Sequence, residues 1–325
     1  MMFLRLVPDN TKINFMAARK VALAFSVLAI IGSIALFAVN SLNYGIDFEG
    51  GISVEVHMEG EKAIPIETVK QAIEDMGYTS PSVREFGAPY EAMIRIERQP
   101  GDAKAQSAVI ERVRDELPVA VPGLEFRDGN FIGATVSGEL KRDGALAVTI
   151  AVMAVLVYIW FRFEWQFGLG AVIALVHDVL LTVGFFAITR LEFNLSIIAA
   201  ILTIVGYSLN DTVVVYDRVR ENIRKYSKKP MGEILNMSLN QTLARTIMTS
   251  VTTLLALLSL FFFGGEAIRG FTAAMIWGVV VGTYSSVFIA SPMLMMFDIR
   301  REALLKDEGD DPTVDKSRPG QFEQM

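Results

Sequence analysis

The sequence predicts an α-helical integral membrane protein with six transmembrane helices and one small α+β domain between helices one and two, and three observations predict it. Hydrophobic residues make up 52% of the 325 positions and charged residues only 20%, a balance too apolar for a water-soluble chain of this length. Six stretches are each apolar over nearly the roughly 20 helical residues needed to cross a hydrocarbon layer. Between the first and second of them, residues 41–144 carry charges of both signs with acidic residues in excess, as a water-exposed domain does.

Residues 1–20 form a polar N-terminal segment with Arg5, Lys12, Arg19 and Lys20, in which Ile13, Phe15 and Met16 stand among polar residues as in an interfacial piece. Residues 21–40 are the first span. Val21 to Val39 is free of charge and longer than a signal-peptide core, and Asn40-Ser41-Leu42 is a poor cleavage site, so the span is expected to be retained. Within 41–144, Ile52, Val54, Val56 and Met58 alternate as a strand, and Ile66, Val69, Ile73 and Met76 recur at helical spacing after Pro65. Ser82 to Gly87 and Ala92 to Glu97 read as a strand pair around Pro89. Ala105, Ala108, Val109, Arg112 and Val113 outline a second helix ended by Pro118, and Leu124 to Arg127 is again extended. The order β-α-β-β-α-β is that of a ferredoxin-like sandwich.

The remaining spans are expected at about 145–161, 167–188, 193–216, 245–264 and 271–297. The links RFEW and TRLEF are short enough to make the helices they join antiparallel. The long link from Asp217 to Arg245 holds Arg218, Arg220, Arg224, Lys225, Lys228 and Lys229, and an even helix count puts it on the side of the basic N-terminus and of Arg300-Arg301. Positive loops mark the cytoplasm. The domain 41–144 is then periplasmic in a bacterial inner membrane, both termini are cytoplasmic, and the polar residues 298–325 are expected to be a disordered tail.

Several chemistries are excluded at this stage. The chain has no cysteine and two histidines, which removes thiolate metal sites, disulfides and cysteine nucleophiles and leaves no metal cluster to expect. No nucleophile–base–oxyanion set and no phosphate loop appears, so no enzyme activity and no cofactor is expected. The net charge of −6 is segregated along the chain, and neither nucleic acid nor any other partner follows from it.

The run Val205 to Asn222 carries the strongest functional signal. Asp211 lies about six residues, roughly 10 Å at 1.5 Å per residue, inside an apolar helix. Tyr207, Ser208, Asp211 and Arg218 share one face, with Asn210 beside the carboxylate. A carboxylate at that depth marks an ion path, or else Asn210 and Asp211 are polar glue between helices. His177-Asp178 is a second deep polar pair, open to both readings. Gln241, Arg245, Thr249 and Thr252 follow at spacings of four and three and give a polar face able to turn toward Asp211. Arg245 is then its charge partner, or snorkels to lipid phosphates. Gly278 and Gly282 make a small-xxx-small packing face. In YGIDFEGG, residues 44–51, Asp47 and Glu49 precede Gly50-Gly51 at the root of the domain, a hinge or docking turn, with residues 138–144 as a second flexible link.

Five blocks in one order carry a family resemblance: GIDFEGG, AVIALVHDVLLTVGFF, VGYSLNDTVVVYDRVREN, LNQTLARTIMTS and GEAIRGFTAAMIWGVVVGTYSS. From about Lys12 to Phe297 the chain resembles the SecF branch of the bacterial SecD/SecF family. The resemblance implies one half of an RND-type transporter that works with SecD beside the SecYEG channel, using the proton gradient to complete export of unfolded polypeptides. It puts the proton-carrying carboxylate at Asp211, with Asn210 beside it and a partnering arginine at Arg245, and makes the proton the coupling ion. Two other functions remain in view. Half of a small-molecule RND exporter would want a larger periplasmic domain than residues 41–144, and a passive scaffold would not want two deep carboxylates.

Overall fold

The computed structural model describes residues 8, 11–79, 81–226 and 228–297. Arg5, the paired Arg300-Arg301 and the tail 298–325 lie outside the described residues. Among the described residues, six helical stretches are long and apolar enough to cross a membrane: Arg19–Asn40, Val136–Arg162, Trp165–Thr189, Leu195–Lys225, Met231–Phe263 and Ile268–Met296. They belong to α1 (Arg19–Asn40), α5 (Ala134–Arg162), α6 (Trp165–Thr189), α7 (Leu195–Lys225), α8 (Met231–Phe263), and the pair α9 (Glu266–Ser285) and α10 (Ser291–Met296), which a single π turn over Ser286–Ala290 joins. The protein is a multi-pass membrane protein.

Between α1 and α5 the chain forms a four-stranded antiparallel sheet of β2 (Gly51–Met58), β3 (Ser82–Phe86), β4 (Ala88–Ile96) and β5 (Leu124–Ile132), in the order β3–β4–β2–β5. Alternation in β2 turns Ile52, Val54, Val56 and Met58 inward, where α3 (Ile66–Asp75) and α4 (Ala103–Ala120) cover them with Val69, Ile73, Val109, Val113 and Leu117. The Asp102 side chain caps α4 by accepting from the Ala105 amide at 3.1 Å. Pro118 lies inside α4, which ends at Ala120. A proline in a last turn removes one hydrogen bond without ending the helix at that residue.

The helices outrun their apolar stretches. α5 begins at Ala134, so Gly138 to Gly144, expected as a flexible link, is helical. A Cβ at Gly144 would rest 3.5 Å from Ile198 of α7, in ordinary van der Waals contact. The basic link between spans four and five is also mostly helix: α7 ends at Lys225 and α8 starts at Met231. Its extensions are amphipathic, burying Ile223, Ile234 and Leu235, and this burial sustains helix where hydropathy alone stops. At the same end Asp217 pairs with Arg162 at 3.1 Å. Two asparagines of α8 hold the N-terminal strap: Asn240 accepts from the Ile13 amide at 2.9 Å and donates to the Ile13 carbonyl at 2.8 Å, while Asn236 accepts from the Met16 amide at 3.0 Å.

The root of the sheet-containing domain is docked on the end of the bundle that carries the α6–α7 turn. β1 (Asn43–Tyr44) pairs in parallel with β6 (Glu192–Phe193), the turn between α6 and α7. Arg190 donates to the carbonyls of Asn40 and Ser41 at 2.7 and 2.9 Å, and Arg95 of β4 donates to the Tyr44 carbonyl at 2.9 Å. Asp47, in the single turn α2 (Ile46–Glu49), accepts from the Leu195 amide at 2.8 Å and so caps the first turn of α7 from another part of the chain. Gly50 and Gly51 take φ of 75° and 123°, backbone that favours glycine. A Cβ on Gly51 would meet the Ile96 carbonyl at 2.8 Å. In this structure the segment is docked on the bundle, with both glycines in the positive-φ region.

Inside the bundle two apolar clusters sit at opposite ends of the helices. One gathers Phe163, Phe167, Tyr216, Val219, Ile223 and Leu294; the other gathers Phe186, Phe193, Ile197, Ile204, Ala274 and Val279. Along α6, α7 and α9 the buried polar residues His177, Asp178, Ser208, Asp211 and Ser285 lie between these clusters.

Candidate functional site

The polar layer is built from neighbouring turns of four helices. Asp178 is 0% exposed and His177 2%. The His177 Nδ1 lies 2.8 Å from Asp178 Oδ1, while Oδ2 of the same carboxylate accepts from Ser208 of α7 at 2.6 Å and from Ser285 of α9 at 2.8 Å. Against an ionised Asp178, Nδ1 must carry the ring proton, and the other ring nitrogen, Nε2, is buried with no hydrogen-bond partner among the described residues. The imidazole stacks on Tyr284 with ring centroids 6.0 Å apart.

Asp211, one turn along α7 from Ser208, is 9% exposed. Thr246 of α8 donates to its Oδ1 at 2.5 Å and Ser286 donates to its Oδ2 at 2.5 Å. Arg245, expected as its charge partner, is exposed and lies close enough for its charge to act on the carboxylate, but hydroxyls and not the guanidinium hold both oxygens. Asn210 is also exposed, on the side of α7 turned away from the core. Tyr207 is half-buried and donates to Ser250 of α8 at 3.4 Å. The structure therefore brings Ser208 and Asp178 together with the serines beside Asp211, and leaves Asn210 and Arg245 on the rim.

The polar face expected of α8 is corrected by the structure. Thr249 and Thr252 are exposed and donate to carbonyls of their own helix, of Arg245 at 3.0 Å and Met248 at 2.8 Å. Thr246 and Ser250 face inward instead, a rotation of one residue, or about 100° on a 3.6-residue helix. Gln241 is drawn to the helical extension near the α7–α8 connection, where it accepts from Asn222 at 2.8 Å.

Sequence reasoning missed Ser285, Ser286, Thr246 and the π turn that begins at Ser286. The available signal was the density of hydroxyls in the block GTYSS, each needing a partner in a low-dielectric layer. Close packing makes their reach possible. A Cβ on Gly278 would collide with the Ile204 side chain, and one on Gly282 would come within 3.1 Å of Ser208, so the small-xxx-small face of α9 lies directly on α7. A single π turn inside an α-helix is common at functional sites. Among the described residues no group of three His, Cys, Asp or Glu side chains is arranged to hold a metal ion.

Residues 113–300 match the family described as protein export membrane protein SecD/SecF, C-terminal, and residues 35–61 match the SecD/SecF GG motif. The chain is 44% identical to protein translocase subunit SecF of Rickettsia felis, over 92% of this chain and 96% of that protein. It is 43% identical to the same subunit of Cereibacter sphaeroides, over 94% and 95%. Among solved structures it resembles SecDF of Thermus thermophilus, a translocon-associated membrane protein, with a TM-score of 0.79 and 32% identity over 90% of this chain and 39% of that one. A super-membrane-facing form of SecDF matches with a TM-score of 0.64, over 92% of this chain. This chain thus spans about two fifths of the SecDF chains it resembles.

Proposed function

From the premise that the chain belongs to the SecD/SecF family of protein-export membrane proteins and is a SecF-type translocase subunit, we propose that it couples proton passage at Asp211 to the export of unfolded polypeptide, with SecD as its partner beside the SecYEG channel. The observation that carries this reading is the way Asp211 is held: a buried carboxylate with two hydroxyl donors, and an exposed arginine on the residue next to one of them. A hydroxyl can donate to a carboxylate or accept from a carboxylic acid, so Thr246 and Ser286 accommodate both states. A guanidinium, which only donates, favours the charged state when it approaches. Arg245 moving toward and away from Asp211 would then release and admit the proton. Each proton moved across 100 mV supplies roughly 2.3 kcal/mol.

The exposed side of Asn210 and Arg245 is where we expect SecD to close the site. The coupling ion is the proton, no cofactor or metal is required, and the subunit carries out no covalent chemistry. Basic residues Arg224, Lys225, Lys228 and Lys229 lie at the α7–α8 connection, which supports a cytoplasmic position for that end, hence cytoplasmic termini, a bacterial inner membrane and a periplasmic soluble domain. The antiparallel β3–β4–β2–β5 sheet with two helices on one face supports a ferredoxin-like reading of that domain.

Asp211→Asn retains volume and hydrogen bonding and cannot exchange a proton. In inverted vesicles bearing SecD, it is expected to abolish gradient-stimulated export while the protein remains inserted and bound to its partner. Normal export by the Asn variant under a full gradient would remove the proton-carrier role.

A further inference from the structure

Four consecutive residues at the end of α9 reach four different helices. Thr283 shares a 2.7 Å hydrogen bond with Ser250 of α8. The Tyr284 hydroxyl donates to the Ala22 carbonyl of α1 at 2.9 Å and lies 2.9 Å from the Ser26 hydroxyl of the same helix. Ser285 donates to Asp178 of α6, and Ser286 to Asp211 of α7. The turn then widens: the Ser291 amide and hydroxyl both reach back five residues to the Ser286 carbonyl.

We infer that Thr283 to Ser286 is a positioning hub that ties the two buried carboxylates to one turn, so that a change in the charge of Asp211 is transmitted through Ser286 and Ser285 to the Asp178–His177 pair and, through the Tyr284 ring stacked on His177, to α1. The titratable groups facing this turn are Tyr207 and Asp211 of α7 and His177 and Asp178 of α6, with Arg245 of α8 at the rim. Protonating Asp211 turns one of its oxygens from acceptor to donor. When the proton sits on Oδ2, the oxygen Ser286 bonds, Ser286 reorients, and Ser285 is the residue next to it on the same backbone turn. A π turn is a discrete alternative to α-helix, a shift of one residue in hydrogen-bond register, so it is a physical two-state element of the kind that coupling between sites requires. α1 leads directly through Ser41 to the docked root of the soluble domain, which gives the signal a route outward. The biological use of the hub rests on the proton-carrier reading of Asp211; the coupling itself does not.

The test uses the two histidines of the chain. In the full-length protein with SecD in nanodiscs, labelled with 15N-histidine, His57 reports the soluble domain and His177 the hub. Asp211→Asn, which fixes a neutral side chain, is expected to shift the His177 ring nitrogens and leave those of His57 unchanged. In a Ser285→Ala background the shift caused by Asp211→Asn is expected to fall to less than about half, since coupled neighbours are non-additive. Thr272→Val, on the same helix with a hydroxyl bonded to the Ile268 carbonyl at 2.8 Å, is expected to leave it intact. If Ser285→Ala does not fold, as lost His57 signal would reveal, Ser286→Ala takes its place with the same expectation. A His177 signal indifferent to Asp211→Asn, or an undiminished response without the serine, overturns the hub. Normal export by Asp211→Asn would instead overturn the proton-carrier reading, and the two failures are separately visible.

Discussion

Asp178 and Asp211 occupy neighbouring positions in one polar layer, yet the first is closed and the second open. Asp178 is bonded by His177, Ser208 and Ser285 and has no exposed surface. Asp211 retains 9% exposure, two hydroxyl donors, and a flank formed by the exposed Asn210 and Arg245. A carboxylate with three donors and no exposed surface is a structural pin, and one with an unfinished flank can be completed by a partner or a proton. The contrast is therefore between stability and function, and substitutions should separate the two.

The largest expected effect is on stability at the closed site. Asp178→Ala strands His177, Ser208 and Ser285 in a buried layer, at about 1–3 kcal/mol for each unsatisfied group, so the thermal midpoint in nanodiscs is expected to fall by well over 5 °C. Asp211→Ala strands Thr246 and Ser286, two groups where Asp178 holds three, and the Ser286 hydroxyl also donates to the Thr283 carbonyl at 3.0 Å, so it is expected to cost about half as much. Equal losses at both sites would erase the distinction between them.

Next in size is the packing that brings the hub to both carboxylates. Gly278→Ala drives a Cβ into Ile204 and is expected to destabilise by about 1–3 kcal/mol, as overpacking does. Adding Ile204→Ala should recover part of that loss. A double variant less stable than the sum of its parts would mean that the glycine serves something other than closeness to α7.

At the open site the test is kinetic. Arg245→Met removes the charge and is expected to reduce proton flux in vesicles at least tenfold, whereas Arg245→Lys retains a charge without the planar fork and should fall between Met and wild type. Neither is expected to move the thermal midpoint, because Arg245 is exposed. Wild-type flux in the Met variant would make the arginine a lipid anchor.

The same contrast explains what was legible in the sequence. Asp178 and Asp211 stood out because a carboxylate within an apolar helix has few explanations, and the strands of the soluble domain stood out because Ile52, Val54 and Val56 alternate. Thr246 was hidden beside Arg245: choosing between it and Thr249 requires the helix phase, which packing fixes to one residue and composition does not. Ser285 and Ser286 were hidden because serine in a span usually serves packing or its own backbone, as the bonds of Ser285 to the Gly282 carbonyl and Ser286 to the Thr283 carbonyl still do. The ends of α5, α7 and α8 were hidden because they continue on burial of residues such as Ile223 and Ile234, after hydropathy has fallen.

The smallest expected effect lies farthest from the carboxylates, at the cap of α7. Asp47 reaches from the root of the soluble domain to the Leu195 amide, in a helix whose own N-cap residue, Asn194, makes no side-chain cap. Removing a capping acceptor costs about 1 kcal/mol, and the charge at a helix N-terminus contributes roughly 0.3–1 kcal/mol of it. Asp47→Asn retains the acceptor and should lose only the charge contribution, while Asp47→Ala should lose both. The global midpoint is expected to change little in either case, because β1, Arg190 and Arg95 hold the same root by other bonds. The local signature is clearer: in Asp47→Ala, amide exchange should accelerate several-fold at Leu195 to Ile197 and remain slow around Asp211, which the polar layer holds independently. If exchange at Asp211 accelerates as well, the outer clasp and the carboxylate layer are one cooperative unit, and the open site is governed from the soluble domain as well as from α9.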